Sequence, residues 1–302
     1  VSEWLPYDQV HGANNTVKGT VVVYRSLTSP HLGRARHISV YLPPSLAAAR
    51  SANGSGPESS RRYPVIYFHD GQNMFDERTS YVGEWHADET LDALAKDGIE
   101  AIAVAVPNAG DERMDEYSPW RGRGTPGRRL VGGKGNEYLE WLVEVVKPLI
   151  DKSFPTRTDR AGTGVLGSSL GGLISLYALA KYPETFGMVG AMSPTLRWHN
   201  YSITKLYQEQ DIPKTRIHLD MGGREHRGLT IDARRMRDVL LAKGWVEGVD
   251  LSYVEDRYAH HHEDAWSRRL PDALRFLLAE TTAAKAAAPS ADAEATDLVP
   301  AP

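Results

Sequence analysis

An α/β architecture, with a mostly parallel central sheet and helices on both faces, is what three features of this sequence predict. Short, nearly continuous apolar runs recur along the chain, segments of helical periodicity separate them, and glycine, proline and polar residues punctuate the joins. Residues 20–24 (Thr-Val-Val-Val-Tyr) and 38–42 (Ile-Ser-Val-Tyr-Leu) read as an antiparallel pair entering the sheet, and Pro43-Pro44 stops the second. The Ser/Gly-rich stretch 51–62 reads as a surface loop. Residues 65–68, 101–106, 164–166, 216–219 and 251–254 read as the central strands, short and mostly apolar, as expected where helices cover both sides of a sheet. Helical patterns occupy 87–97, 137–151, 171–181, 231–243 and 265–278. One domain over 1–280 is expected. The Ala/Pro-rich segment 281–302 reads as a disordered tail.

Composition narrows the function. The net charge of −4 argues against nucleic acid, whose binders carry a basic excess. With no cysteine, disulfides, thiolate metal sites and a cysteine nucleophile are excluded. No apolar run approaches the ~20 residues that span a bilayer, so no membrane partner is expected. The opening Val1-Ser2-Glu3-Trp4 has no charged-then-apolar leader pattern. Compartment and oligomeric state stay open.

Gly167-Ser168-Ser169-Leu170-Gly171 matches G-x-S-x-G, a turn that holds a serine hydroxyl clear of the backbone between strand and helix. In a chain with 27 glycines the spacing alone is weak. Its setting adds weight: strand 164–166 precedes it, and a helix that begins directly behind it would favour developing negative charge. The glycines centre the turn on Ser169 rather than Ser168. In the α/β-hydrolase fold an acid and then a histidine follow the serine along the chain. Glu225 lies just past the strand at 216–219, where a carboxylate could orient an imidazole. Asp220 is the rival, but falls within the strand and could be a buried structural group. After the strand at 251–254 come His260-His261-His262, any of which could carry a serine proton. Three adjacent histidines could also suggest a metal, but consecutive side chains do not easily converge on one ion. H-E-x-x-H and cysteine ligands are both absent, so no metal is expected. The loop after strand 65–68 would supply one oxyanion amide, from Gln72 or Gly71. The other would come from Leu170.

Several segments together resemble the esterase family that includes enterochelin, feruloyl and acetyl xylan esterases. They are Phe68-His69-Asp70-Gly71-Gln72-Asn73-Met74-Phe75-Asp76, Arg113-Met114-Asp115-Glu116-Tyr117-Ser118-Pro119, the run from Gly167 to Tyr177, Met192-Ser193-Pro194, Leu219-Asp220-Met221-Gly222 and His261-His262-Glu263-Asp264-Ala265-Trp266. They span nearly the whole catalytic domain. The resemblance implies an α/β-hydrolase fold and a histidine opening an H-x-E-x-x-W stretch, hence His261. It also implies an acid shortly after the glycine-rich turn, consistent with Glu225. The chain lacks the extra N-terminal domain of the larger enterochelin esterases.

A Gly/Arg-rich connection at 108–136 holds Arg113, Arg121, Arg123, Arg128, Arg129 and Lys134 against Asp111, Glu112, Asp115 and Glu116. It reads either as a solvated loop with local ion pairs or as a receptor for an anionic ester, with Arg113 as a contact. Trp120 and Trp198 read as core or as the wall of an aryl or sugar pocket. The expected activity is hydrolysis of a carboxylic ester through an acyl-serine, without cofactor, on a small-molecule or carbohydrate-linked substrate. Siderophore, feruloyl and acetyl-carbohydrate esters are the classes the resemblance implies. Acyl transfer on the same machinery and a non-catalytic binding module are the alternatives.

Overall fold

The computed structural model describes residues 4–51, 61–123 and 130–279. Its sheet has nine strands: β1 (Trp4–Pro6), β2 (Thr20–Thr28), β3 (Ala35–Leu42), β4 (Val65–Phe68), β5 (Ile102–Ala105), β8 (Thr163–Ser168), β9 (Met188–Met192), β10 (Arg216–Gly222) and β11 (Leu251–Asp256). Two further strands, β6 (Gly122–Arg123) and β7 (Leu130–Val131), form a separate ribbon. The spatial order is β1-β2-β3-β5-β4-β8-β9-β10-β11. The first three strands are antiparallel additions, and every pairing from β5 through β11 is parallel.

The alternation of side chains along β4 explains the layers. Val65 and Tyr67 face one apolar cluster, with Val104, Val165, Val189 and Leu219 from neighbouring strands. Helices α5 (Gly135–Trp141), α6 (Lys147–Ser153), α7 (Leu170–Lys181), α8 (Trp198–Glu209) and α9 (Arg227–Ala242) contribute side chains to that cluster. Ile66 and Phe68 face the opposite cluster, where α3 (Ala87–Lys96) and α10 (Glu263–Leu278) pack on Ala103, Leu166 and Met188. Three short helices, α1 (Tyr7–His11), α2 (Pro44–Ser51) and α4 (Arg113–Glu116), complete the fold. This is the α/β-hydrolase arrangement.

The chain leaves β4 toward β5 on one side and later returns to β8 on the other. The carboxyl ends of β4 and β8 therefore flank a topological switch point, where open parallel sheets place their ligands.

Two differences from the sequence reading have physical causes. Strand β9 was not anticipated, because Met188-Val189-Gly190-Ala191-Met192 has a single β-branched residue and an interior glycine. A Cβ on Gly190 would lie 2.5 Å from Leu166 Cγ, so close packing on β8 requires glycine there. Helix α8 was hidden because His199, Asn200 and Tyr201 adopt left-handed backbone angles inside it. The helix expected at 137–151 is broken by a π-turn at Leu142–Val146. The tail at 281–302, most of the loop at 51–62, and Arg128 and Arg129 lie outside the described residues.

Candidate active site

Ser169 caps α7 at φ 56°, ψ −119°, a left-handed conformation that costs a non-glycine residue strain. The turn closes only because its glycines lack side chains. A Cβ on Gly167 would lie 2.8 Å from the Gly171 carbonyl carbon. Past β10, Glu225 folds back onto the strand end, and the Gly222 N–H donates to its Oε1 at 3.0 Å. A Cβ on Gly222 would meet that oxygen at 2.6 Å, so glycine is what admits the carboxylate. His261 precedes α10, and its ring meets the Trp266 ring edge-on at 4.9 Å.

The three side chains form one line. Ser169 Oγ lies 3.0 Å from His261 Nε2, and His261 Nδ1 lies 2.6 Å from Glu225 Oε2. Glu225 is buried, whereas the His261 side chain is 40% exposed, so the line runs from the interior to an accessible rim. His262 turns elsewhere and pairs with Asp264 at 2.8 Å, so these two neighbouring imidazoles diverge.

Behind Glu225 lies a buried polar group of which sequence reasoning gave only Asp220, as a possible structural residue. Ser193, held at φ 43° just past β9, donates its hydroxyl to Glu225 Oε1 at 2.6 Å. That hydroxyl accepts from Trp266 Nε1 and Arg269 Nη2, each at 3.1 Å. Arg269 also grips Asp220 through two nitrogens, at 3.0 and 2.9 Å. Asp220 takes a further contact from His218 at 3.3 Å and receives the Ser193 N–H at 3.0 Å. Burial alone would raise the Asp220 pKa, but the His218 and Arg269 contacts outweigh it and hold the group below the usual carboxylate range. Asp220 is thus bound into the interior, while Glu225 faces His261. The one available signal was Met192-Ser193-Pro194; nothing in its spacing gave Ser193 a contact.

Across the switch point, the loop after β4 enters a left-handed residue, Asp70 (φ 55°), and a turn at Gly71–Asn73. Its neighbouring amides are committed: Asp70 N–H to the Tyr117 hydroxyl, Gly71 N–H to Val106 O and Asn73 N–H to Asp70 O. Leu170 opens α7, whose first N–H groups lack intrahelical acceptors. Arg113 makes a bidentate pair with Asp70, at 2.6 and 2.7 Å. Burial would lower the Arg113 pKa; Asp70 reverses this and raises it. Behind the turn, His69 is buried against the Tyr138 hydroxyl at 2.8 Å, and burial pushes its pKa down to about 4.

A cavity of about 410 Å³ opens beside Ser169, lined by Met114, Leu170, Thr195, Arg197, Trp198 and His199. Arg113 is outside that lining, and Arg197 is the arginine within it. Trp198 Nε1 donates to Trp120 O at 2.8 Å, joining the wall to the Gly/Arg-rich connection. Thr195, also missed from sequence, has its hydroxyl 3.2 Å from Ser169 Oγ.

Among protein families, the one described as "Putative esterase" matches residues 29–277. The chain belongs to that family. It is an esterase, a hydrolase acting on ester bonds. The esterase is 28% identical over 257 residues to uncharacterized protein YbbA of Bacillus subtilis (strain 168), covering 82% of this chain and 95% of that one. It is 29% identical over 162 residues to a siderophore enterobactin esterase of Emericella nidulans, covering 49% of this chain and 52% of the relative. Its fold matches the crystal structure of BES protein from Bacillus cereus with a TM-score of 0.64 at 21% identity, over 87% of this chain and 97% of that one.

Proposed function

We propose that this esterase works through an acyl-serine, with Ser169 as nucleophile, His261 as general base and acid, and Glu225 as the carboxylate that orients the imidazole. The observation that carries the reading is the line of contacts from Ser169 Oγ through His261 to Glu225, at 3.0 and 2.6 Å. Ser169 Oγ attacks the acyl carbon and its proton passes to His261 Nε2. Glu225 holds the Nδ1 proton and stabilises the imidazolium. The tetrahedral oxyanion is received by the backbone N–H groups of Leu170 and Gln72. Gly71 is unsuited to that role because its amide already serves Val106. Collapse of the intermediate breaks the C–O bond, and the leaving alkoxide takes the proton from His261. Water then attacks the acyl-serine, His261 accepts its proton and returns it to Ser169, and the acid departs.

Trp198 and Leu170 beside Ser169 offer apolar, partly aromatic surface to the substrate. That suits a siderophore-type ester, the class for which the Emericella nidulans relative is named. Arg113, engaged by Asp70, serves in this reading to hold the Gln72 turn rather than to contact substrate.

The test compares the protein with Ser169→Ala on p-nitrophenyl butyrate, methyl ferulate and a catecholate trilactone. The variant should lose on the order of 10⁴-fold or more in turnover on every ester the protein cleaves. Undiminished turnover would sink the serine mechanism.

A further inference from the structure

Away from Ser169, the segment leading into α3 gathers a second set of groups with ligand chemistry. His86 Nδ1 lies 3.6 Å from Glu84 Oε2 and 3.5 Å from Glu89 Oε1, and the three ligand atoms fall within 4.8 Å of one another. Around an ion with bonds of roughly 2.1 Å, the edges of a tetrahedron measure roughly 3.4 Å, so two of the three separations are already those of a coordination shell.

Proximity is not the whole case. The Glu84 side chain is only 1% exposed, yet its Oε1 has no hydrogen-bond partner. Glu89 Oε2 and Asp88 Oδ1 are buried as well, and burial together with a hydrogen bond between these two carboxyl groups raises the Asp88 pKa. Close by, one hydroxyl, Thr16 Oγ1, lies within hydrogen-bond distance of both Glu84 Oε2 (2.8 Å) and Asp76 Oδ1 (3.3 Å). A single hydroxyl proton can serve only one of them at a time. Among the described residues no lysine or arginine makes an ion pair with Asp76, Glu84, Asp88 or Glu89, and the imidazole of His86 is the one basic side chain beside Glu84 and Glu89. A carboxylate oxygen kept from water without a donor, as Glu84 Oε1 is, is costly, and a bound cation removes that cost.

We propose that Glu84, His86 and Glu89 bind a divalent first-row metal ion, Zn²⁺ foremost. One imidazole nitrogen with two carboxylate oxygens favours Zn²⁺ over Ca²⁺, which prefers all-oxygen shells. The ligands leave the exposed side of the ion to solvent, since His86 is 55% exposed. The site is structural. Trp85, between two ligands, packs on Trp266 at 5.8 Å between ring centroids, and its carbonyl accepts from Ser267 at 2.8 Å. An ion here fastens the strap that braces α10, the helix that follows His261. The spacing Glu84-x-His86-x-x-Glu89 matches neither H-E-x-x-H nor a Cys/His pattern, so the sequence offered no motif for it.

The experiment is calorimetric titration of tag-free, chelator-stripped protein with Zn²⁺ and with Mn²⁺, alongside thermal unfolding with and without each ion. One equivalent of Zn²⁺ should bind, with a rise in Tm. His86→Ala and Glu89→Gln, both at positions with solvent access, should each weaken binding at least tenfold, with esterase turnover of the metal-free protein unchanged. His262→Ala should bind as the parent does. The proposal is overturned if no stoichiometric binding occurs, if His86→Ala binds as tightly as the parent, or if only His262→Ala loses the ion.

Discussion

Two walls meet at Ser169 Oγ and are built in opposite ways. The wall behind Glu225 is buried and closely bonded: Ser193, Trp266, Arg269, Asp220 and His218 donate and accept among themselves, and no member faces solvent. The wall in front, Thr195 to His199, is part open, carries left-handed backbone at His199, and leans on Trp120 through an indole hydrogen bond and a ring stack. The difference separates two jobs. In the proposed mechanism a buried, hydrogen-bonded wall fixes the direction of an imidazole, which every ester needs. In the same proposal an open wall with replaceable contacts chooses which ester fits.

The comparison can be broken most forcefully at the junction itself. His261→Ala should lower kcat by about 10⁴-fold on any substrate, read in steady-state assays of folded protein. Next in size is the closed wall. Arg269→Ala strands Asp220 in the interior and should cost about 3–5 kcal/mol in urea unfolding; a loss under about 1 kcal/mol would mean the wall is not the rigid one.

A separate buried group lies across the switch point at His69, whose pKa burial lowers from 6.5 to about 4. The unfolded chain takes up this proton near its ordinary value, and the folded chain resists until about pH 4. Stability is therefore intact above about pH 6.5 and falls as pH drops through this window. The loss should be about 3 kcal/mol between pH 7 and 4. His69→Gln should remove that component of the pH dependence, which urea unfolding at the two pH values would measure. An unchanged slope would contradict it.

The smallest effect belongs to the open wall. Trp198→Ala should raise KM for aryl esters about tenfold, or about 1.4 kcal/mol, while acetate esters change little. Equal losses on both would make Trp198 a structural prop.

How much of this was legible in the sequence follows the same division. Strands β4, β8, β10 and β11 announced themselves through apolar runs, and the glycine spacing singled out Ser169. Chain order then narrowed the partners to Glu225 or Asp220 and to the histidines at 260–262. Apart from Asp220, which read as a possible buried structural group, the closed wall was invisible, because its members come from β9, β10 and α10 and are joined by burial rather than spacing. Ser193 in particular follows a strand whose glycine disguises it. The open wall was hidden by α8, which begins in a conformation that no helix pattern encodes. Arg113 drew attention as a charge in a loop, yet Asp70, another loop residue, engages it. Only packing reveals which arginine faces the cavity.

The most direct test of the central claim is labelling with a fluorophosphonate, followed by peptide mass spectrometry, on the protein and on His261→Ala. A single adduct on Ser169, formed at least a hundredfold more slowly in His261→Ala, is the predicted result. An adduct on another residue, or none in a preparation that still cleaves esters, would contradict the assignment of Ser169 as the nucleophile.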